Sequence, residues 1–188
     1  IFSKRADVAY AEPNYLIKIA GSLEAEIVDQ WALNKIEAPQ AWDQITVQSP
    51  ALIAVVDTGV DPNNPDLFDN IWESPLEIPS DGIDNDGNGY IDDTWRWDFV
   101  NNDNDPMDDQ MHGTAVSSVA AGNQNGQGVA GVCPWCEIMA VKVLSAEGAG
   151  SLDVAASGII YAVDQGAQII NLSMSAPVGT QTLENAVN

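Results

Sequence analysis

Basic residues are scarce in this chain: six Lys and Arg stand against 28 Asp and Glu, for a formal charge of -22. Recognition of nucleic acid or of an anionic membrane needs clustered Lys and Arg, so neither is expected as a partner, and cations are better-matched ligands. Histidine occurs once and cysteine twice. Cys133 and Cys136 share one Cys-Pro-Trp-Cys loop. A zinc site is its weakest reading, because no second Cys or His pair exists to complete four ligands. A thioredoxin-like pair would open a helix after a strand, whereas this loop precedes the apolar run Ile138 to Val143, which leaves a small disulfide or two free thiols. Long hydrophobic runs are also missing, with nothing near the roughly 20 residues of a spanning helix. The start, Ile1-Phe2-Ser3-Lys4, lacks a charged segment followed by an apolar run, and the sequence is expected to begin within a longer gene.

What is present is enough for one sizeable core and a short appendage, at 188 residues and 45% apolar composition. Val8 to Ile17 has strand-like residues around Pro13, which suits an edge strand or a bulge. A polar stretch from Gly21 to Gln30 follows, and Pro39 is placed to open a short helix. Ala51 to Val56 is a continuous apolar run bounded by Pro50 and Asp57-Thr58-Gly59, as a strand buried on both faces requires. Ile138 to Val143 reads as a second strand and Ala167 to Leu172 as a third. Between them, Leu152 to Asp164 reads as a helix with Leu152, Ala156, Ile159 and Val163 on one face. Strand, helix and strand in alternation predict an α/β fold with a parallel, doubly wound sheet of about three core strands. Sites in such sheets lie beyond the carboxyl ends of the strands.

Asp57 falls at such an end, where a desolvated carboxylate can hold an imidazole by its ring N–H. An Asp there also caps a turn. Asp-Thr-Gly after an apolar run occurs in aspartic proteases too, but those need two such carboxylates sharing a proton, and this sequence has no second copy. His112, the only histidine, precedes the small-residue run Gly113 to Gly122, which can form a closely packed helix. A lone histidine is usually a surface or satisfied core residue; with Asp57 available, a catalytic pair is the better reading.

The strings Val55-Val56-Asp57-Thr58-Gly59 and His112-Gly113-Thr114 resemble those of the subtilase family. The likeness continues through Asn63 to Leu67, Gly128 to Val132, Ile138 to Leu144 and Ile169 to Ser175, in the family's order. The resemblance implies a secreted serine endopeptidase in which Asp57 orients His112, His112 is the general base, and a serine attacks the peptide carbonyl. It implies that residues 1–25 end an inhibitory prosegment, contributing a short strand, and that 26–188 begin the peptidase domain. Polypeptide substrates and the chain's own prosegment are the implied partners. Gly148, Ala149 and Gly150 on one side and Ser173, Met174 and Ser175 on the other would pair with an extended substrate. The family's Gly-Thr-Ser-Met-Ala motif is absent from these residues. The chain alone is therefore expected to be inactive, a fragment of a protease with a truncated sheet. In the implied external setting, a Cys133–Cys136 disulfide is favoured over free thiols.

Acidic residues concentrate between Asp57 and Asp109. Asp84, Asp86, Asn88, Tyr90 and Asp92 occupy alternate positions of a run matching the first nine residues of a calcium loop, with Gly89 permitting the sharp turn. The twelfth position is Trp95, and Pro79 and Gly82 stand where a helix would precede. Calcium in a loop unlike a full EF-hand is thus expected over an unliganded polar turn, with Asp92 or Asp93 closing the shell. The family resemblance implies a second calcium site, with Asp66 and Asn125 as its side-chain ligands. A noncatalytic calcium-binding protein on the same scaffold is the alternative function.

Overall fold

The computed structural model describes residues 9–19, 30–45, 50–177 and 179–188. Position 8, most of the polar stretch 21–30 and the expected 25/26 boundary lie outside the described residues. In chain order the elements are β1 (Leu16–Ile19), α1 (Trp31–Lys35), α2 (Ala38–Trp42), β2 (Leu52–Asp57), β3 (Arg96–Asp98) and α3 (His112–Ala121). They continue with β4 (Glu137–Lys142), β5 (Ala149–Ser151), α4 (Leu152–Asp164), β6 (Ile169–Asn171), β7 (Met174–Ser175) and α5 (Gln181–Val187).

The apolar runs form the centre of a parallel sheet with strand order β3-β4-β2-β6. β2 and β4 pair from Leu52 opposite Glu137 to Asp57 opposite Lys142, and β3 ends with Asp98 opposite Lys142. Asp98, Lys142 and Asp57 therefore share one level at the carboxyl edge. Side chains alternate between faces along a strand. Leu52, Ala54 and Val56 pack with Met139, Val141 and the buried side of α4, while Ile53 and Val55 pack with Ile138, Ala140 and Ala121 of α3. Two covered faces explain why these strands read as unbroken apolar runs.

Three expectations needed correction. Sequence patterning gave about three core strands, whereas the sheet has four among the described residues. β3 is only three residues long and includes two charged ones, so it carries no apolar run to detect. On α4, Leu152, Ala156 and Ile159 are buried as expected, but Val163 is 57% exposed, and Tyr161 and Ala162 turn inward in its place. β6 is shorter than the predicted strand and Ile169 is half exposed, since it pairs with β2 alone among the described residues.

A second, antiparallel sheet has the order β5-β1-β7. Its central strand is the N-terminal segment, with Leu16 opposite Ser151, Ile17 opposite Gly150, Lys18 opposite both Ala149 and Ser175, and Ile19 opposite Met174.

Candidate active site

The parallel sheet delivers Asp57 to its carboxyl edge, fully buried. Asp57 Oδ1 accepts the Thr58 amide at 2.8 Å and lies 2.7 Å from Nδ1 of His112, itself 4% exposed. Asp57 Oδ2 is buried with no hydrogen-bond partner among the described residues. Burial pushes the Asp57 carboxyl above its ordinary range, against the opposing hydrogen bonds from His112 and Thr58.

His112 is the first residue of α3, and a polar clamp fixes where that helix begins. Asp108 Oδ1 accepts the Thr58 hydroxyl at 2.8 Å and the Gln110 and Met111 amides. Its Oδ2 accepts both the amide and the hydroxyl of Thr114. The Thr58 hydroxyl in turn accepts the Gly113 amide at 2.9 Å. One carboxylate thereby ties the residue after Asp57 to the first turn around His112. Gly113 packs against the Gly59 carbonyl so closely that a Cβ would overlap it. Lys142, 1% exposed, donates from Nζ to the Thr58 carbonyl at 2.7 Å and to Asp109 at 2.6 Å, bracing the same turn from β4. Sequence reasoning missed Asp108, Asp109 and Lys142. An Asp four residues before a helical His is a usable capping signal only once the helix start is known.

Of the expected substrate-flanking residues, Ala149, Gly150, Met174 and Ser175 pair with β1, while Gly148 and Ser173 stand at the adjoining strand ends. Gly148 is in the left-handed region at φ 66°, and a Cβ on Gly150 would overlap the Val143 carbonyl. Ile17 is buried in the core cluster of β2 and β4, whereas Leu16 is 69% exposed. Upstream, Asn14 donates to Asp153 in the first turn of α4 at 2.7 Å. Glu12 accepts the Gln181 and Thr182 amides at the start of α5, at 2.9 and 2.8 Å.

The structure brings Asp66 and the loop around Asn125 together. Asp66 Oδ2 accepts the Val129 amide, and Oδ1 is buried without a partner among the described residues. Gly128, at φ 48°, leaves no space for a Cβ beside that carboxylate. Asn125 donates to the Pro65 carbonyl. In the acidic insert, ligand oxygens of Glu77, Asp84 and Asp86 lie within 4.8 Å of one another. Asp84 accepts the Gly87, Asn88 and Gly89 amides, bonds that hold its carboxyl below the usual range with the Gly89 amide foremost. Asn88 contacts Asp86. Asp92 does not join the cluster: at φ 54°, its two oxygens accept the Asp81 and Gly82 amides. The Tyr90 ring packs at centroid distances of 5.0, 5.7 and 4.9 Å from Trp97, Phe99 and Tyr161. Glu77 escaped the sequence reading because it precedes the loop pattern. Cys133 and Cys136 form a disulfide.

The family model for the Subtilase family, Peptidase_S8, matches residues 48–188. A thermophilic serine proteinase of Bacillus sp. (strain AK1) is 40% identical over 184 residues, 96% of this chain and 40% of that protein. Thermitase of Thermoactinomyces vulgaris is 41% identical over 160 residues, covering 85% of this chain and 49% of its own. Subtilisin Savinase of Lederbergia lenta is 35% identical over 158 residues, or 84% and 49%. The chain thus spans less than half the length of these relatives.

Proposed function

The chain belongs to the subtilase family, and from that membership we propose that it carries the Asp–His half of a serine endopeptidase. The observation that carries this reading is the buried 2.7 Å contact between His112 Nδ1 and Asp57 Oδ1 at the carboxyl edge of the sheet. With Nδ1–H donating to Asp57, the opposite ring nitrogen Nε2 is free to take a proton from a serine hydroxyl and return it to the leaving amine, while Asp57 stabilises the imidazolium. The serine and its oxyanion donors belong, in this reading, to residues beyond position 188. The substrate is an extended polypeptide running between β5 and β7.

The segment 16–19 supports a zymogen reading, because it already forms the central antiparallel strand between those two edges. It is the prosegment's end in this proposal, a substrate mimic held by strand addition, with Glu12 and Asn14 fastened to the starts of α5 and α4. Calcium is the proposed cofactor, at the Asp66–Asn125 loop and in the acidic insert. The buried, unpaired Asp66 Oδ1 suits a hard cation with oxygen ligands, which would stabilise the folded state by binding it selectively. A secreted location fits the disulfide and the calcium loops, and the charge of -22 opposes nucleic-acid or anionic membrane partners.

Replacing His112 by Ala or Asp57 by Asn in the longer protein tests the assignment. For the Asp57→Asn variant, kcat on a peptide substrate is expected to fall about 10⁴-fold. Activity within a few-fold of the parent in either variant would reject the pair.

A further inference from the structure

We propose that Lys142 and Asp109 act as one positioning device for the Asp57–His112 pair: their ion pair locks the peptide between Thr58 and Gly59, and with it the approach of His112 to Asp57. This rests on the reading of Asp57 and His112 as the acid and base of a peptidase, and adds two residues that act through others.

A lysine is almost never fully buried unless it is paired, and Lys142 closes β4 at 1% exposure. Alternation along the strands puts it and Asp57 on one face with Ile53, Val55, Ile138 and Ala140, the face that α3 covers. A lone ammonium there would carry a large desolvation cost. Nζ offsets it through the Thr58 carbonyl at 2.7 Å and Asp109 Oδ1 at 2.6 Å. The other carboxylates of this edge are engaged elsewhere. Asp98, opposite Lys142 on β3, accepts the Val100 and Asn101 amides. Asp108 accepts the Thr58 and Thr114 hydroxyls, and Asp57 accepts the Thr58 amide beside His112. Asp109, with half its side chain exposed, is left to compensate the ammonium.

What the pair holds follows from the bonds of Thr58. The Asp57 carbonyl accepts the Val143 and Leu144 amides at 2.8 and 3.1 Å, so the end of β4 fixes the peptide before Thr58 through its backbone and the peptide after it through Lys142. With both peptides set, the direction of the Thr58 amide is set, and that amide meets His112 Nδ1 at the same oxygen, Asp57 Oδ1. Gly59 follows at φ 104°, and its carbonyl is the wall against which Gly113 packs. Removing the ammonium frees the 58–59 peptide to turn and so alters that wall. Asp109 lies between Asp108 and the Gln110 and Met111 amides that Asp108 accepts. The ion pair therefore also ties the loop entering α3 to β4, and one contact governs the placement of both Asp57 and His112. A displacement of about 1 Å in such a pair is worth on the order of 100-fold in rate.

Steady-state kinetics of the longer protein on a peptide substrate test the device, with each variant first shown to be folded by circular dichroism. Lys142→Met keeps the stem and removes the ammonium; Asp109→Asn changes a half-exposed side chain and decides the matter if Lys142→Met does not fold. The expected result is a fall in kcat of about tenfold or more in Lys142→Met and about fivefold in Asp109→Asn, with KM within about twofold of the parent. Asp109→Glu, which keeps the charge, is expected to recover most of that loss. Position and electric field are separable here. An imidazolium forms on His112 in the transition state, so a field effect alone makes loss of the cation favourable and loss of the anion unfavourable, whereas loss of position lowers kcat in both. A rise in Lys142→Met with a fall in Asp109→Asn would therefore overturn the positioning role. A kcat within about twofold of the parent in either folded variant, or equal losses in Asp109→Asn and Asp109→Glu, would overturn the ion pair as the device. Parent activity undiminished by His112→Ala would overturn the Asp57–His112 reading and the positioning role together, which distinguishes that failure from the others.

Discussion

At the scale of single residues, Asp57 is held where burial disfavours its charge. Its carboxylate is fully buried, one oxygen has no partner among the described residues, and burial raises its pKa. A folded-state pKa above the unfolded value means that this group contributes stability below its ordinary value of 3.8, which is lost as the pH rises through the folded value. Asp57→Asn is therefore expected to stabilise the chain toward urea at pH 7. The gain should shrink to nothing below pH 3.8, where the parent carboxyl is protonated in both states. Equal or lower stability of the variant at pH 7 would show that the His112 and Thr58 bonds outweigh desolvation. The Asp–His pairing itself was legible in the sequence, because each partner sits in a short string with a distinctive neighbourhood. Asp108 was not, although it engages Thr58, Gln110, Met111 and Thr114 at once. A capping carboxylate on a loop looks like any solvated acid until the helix it caps has been located.

At the scale of elements, the distance between β2 and α3 sets the Asp57–His112 contact, and glycine sets that distance. Gly113→Ala would drive a Cβ into the Gly59 carbonyl. The expected cost is about 2 kcal/mol of overpacking, read by chemical denaturation, together with displacement of His112 from Asp57. An unchanged midpoint would mean that α3 can shift freely. The N-terminal strand is attached differently, through ionised contacts at its upstream end. Glu12 is held below its ordinary pKa, chiefly by the Thr182 side chain, so docking favours the carboxylate. That contribution is present above pH 4.5 and is lost as the pH falls through the lowered docked value. Hydrogen exchange at Ile17 and Lys18 is expected to accelerate in Glu12→Gln at pH 7, and in the parent when acidified. Equal protection in both would place the hold elsewhere. Length decided which elements could be foreseen. β2, β4 and α4 were legible from long apolar runs or helical spacing, whereas β3, three residues opened by a buried arginine at φ 112°, contradicts every pattern that marks a buried strand. Its stability comes from Trp72, Asp93 and the insert, which are distant or irregular in sequence.

At the scale of the whole molecule, the chain joins Asp57 and His112 at the carboxyl edge of a sheet whose β6 edge pairs on one side only among the described residues, and seats its own N-terminal strand between β5 and β7. The central claim is that these 188 residues hold the orienting acid and the base of a serine endopeptidase whose nucleophile lies elsewhere. Labelling with a fluorophosphonate, which reacts with an activated serine, tests it most directly when the 188-residue chain and the longer protein are compared in calcium. The account predicts labelling of the longer protein, its loss on His112→Ala, and none of the chain alone. Labelling of the 188-residue chain, or of the His112→Ala protein at the parent's rate, would contradict it.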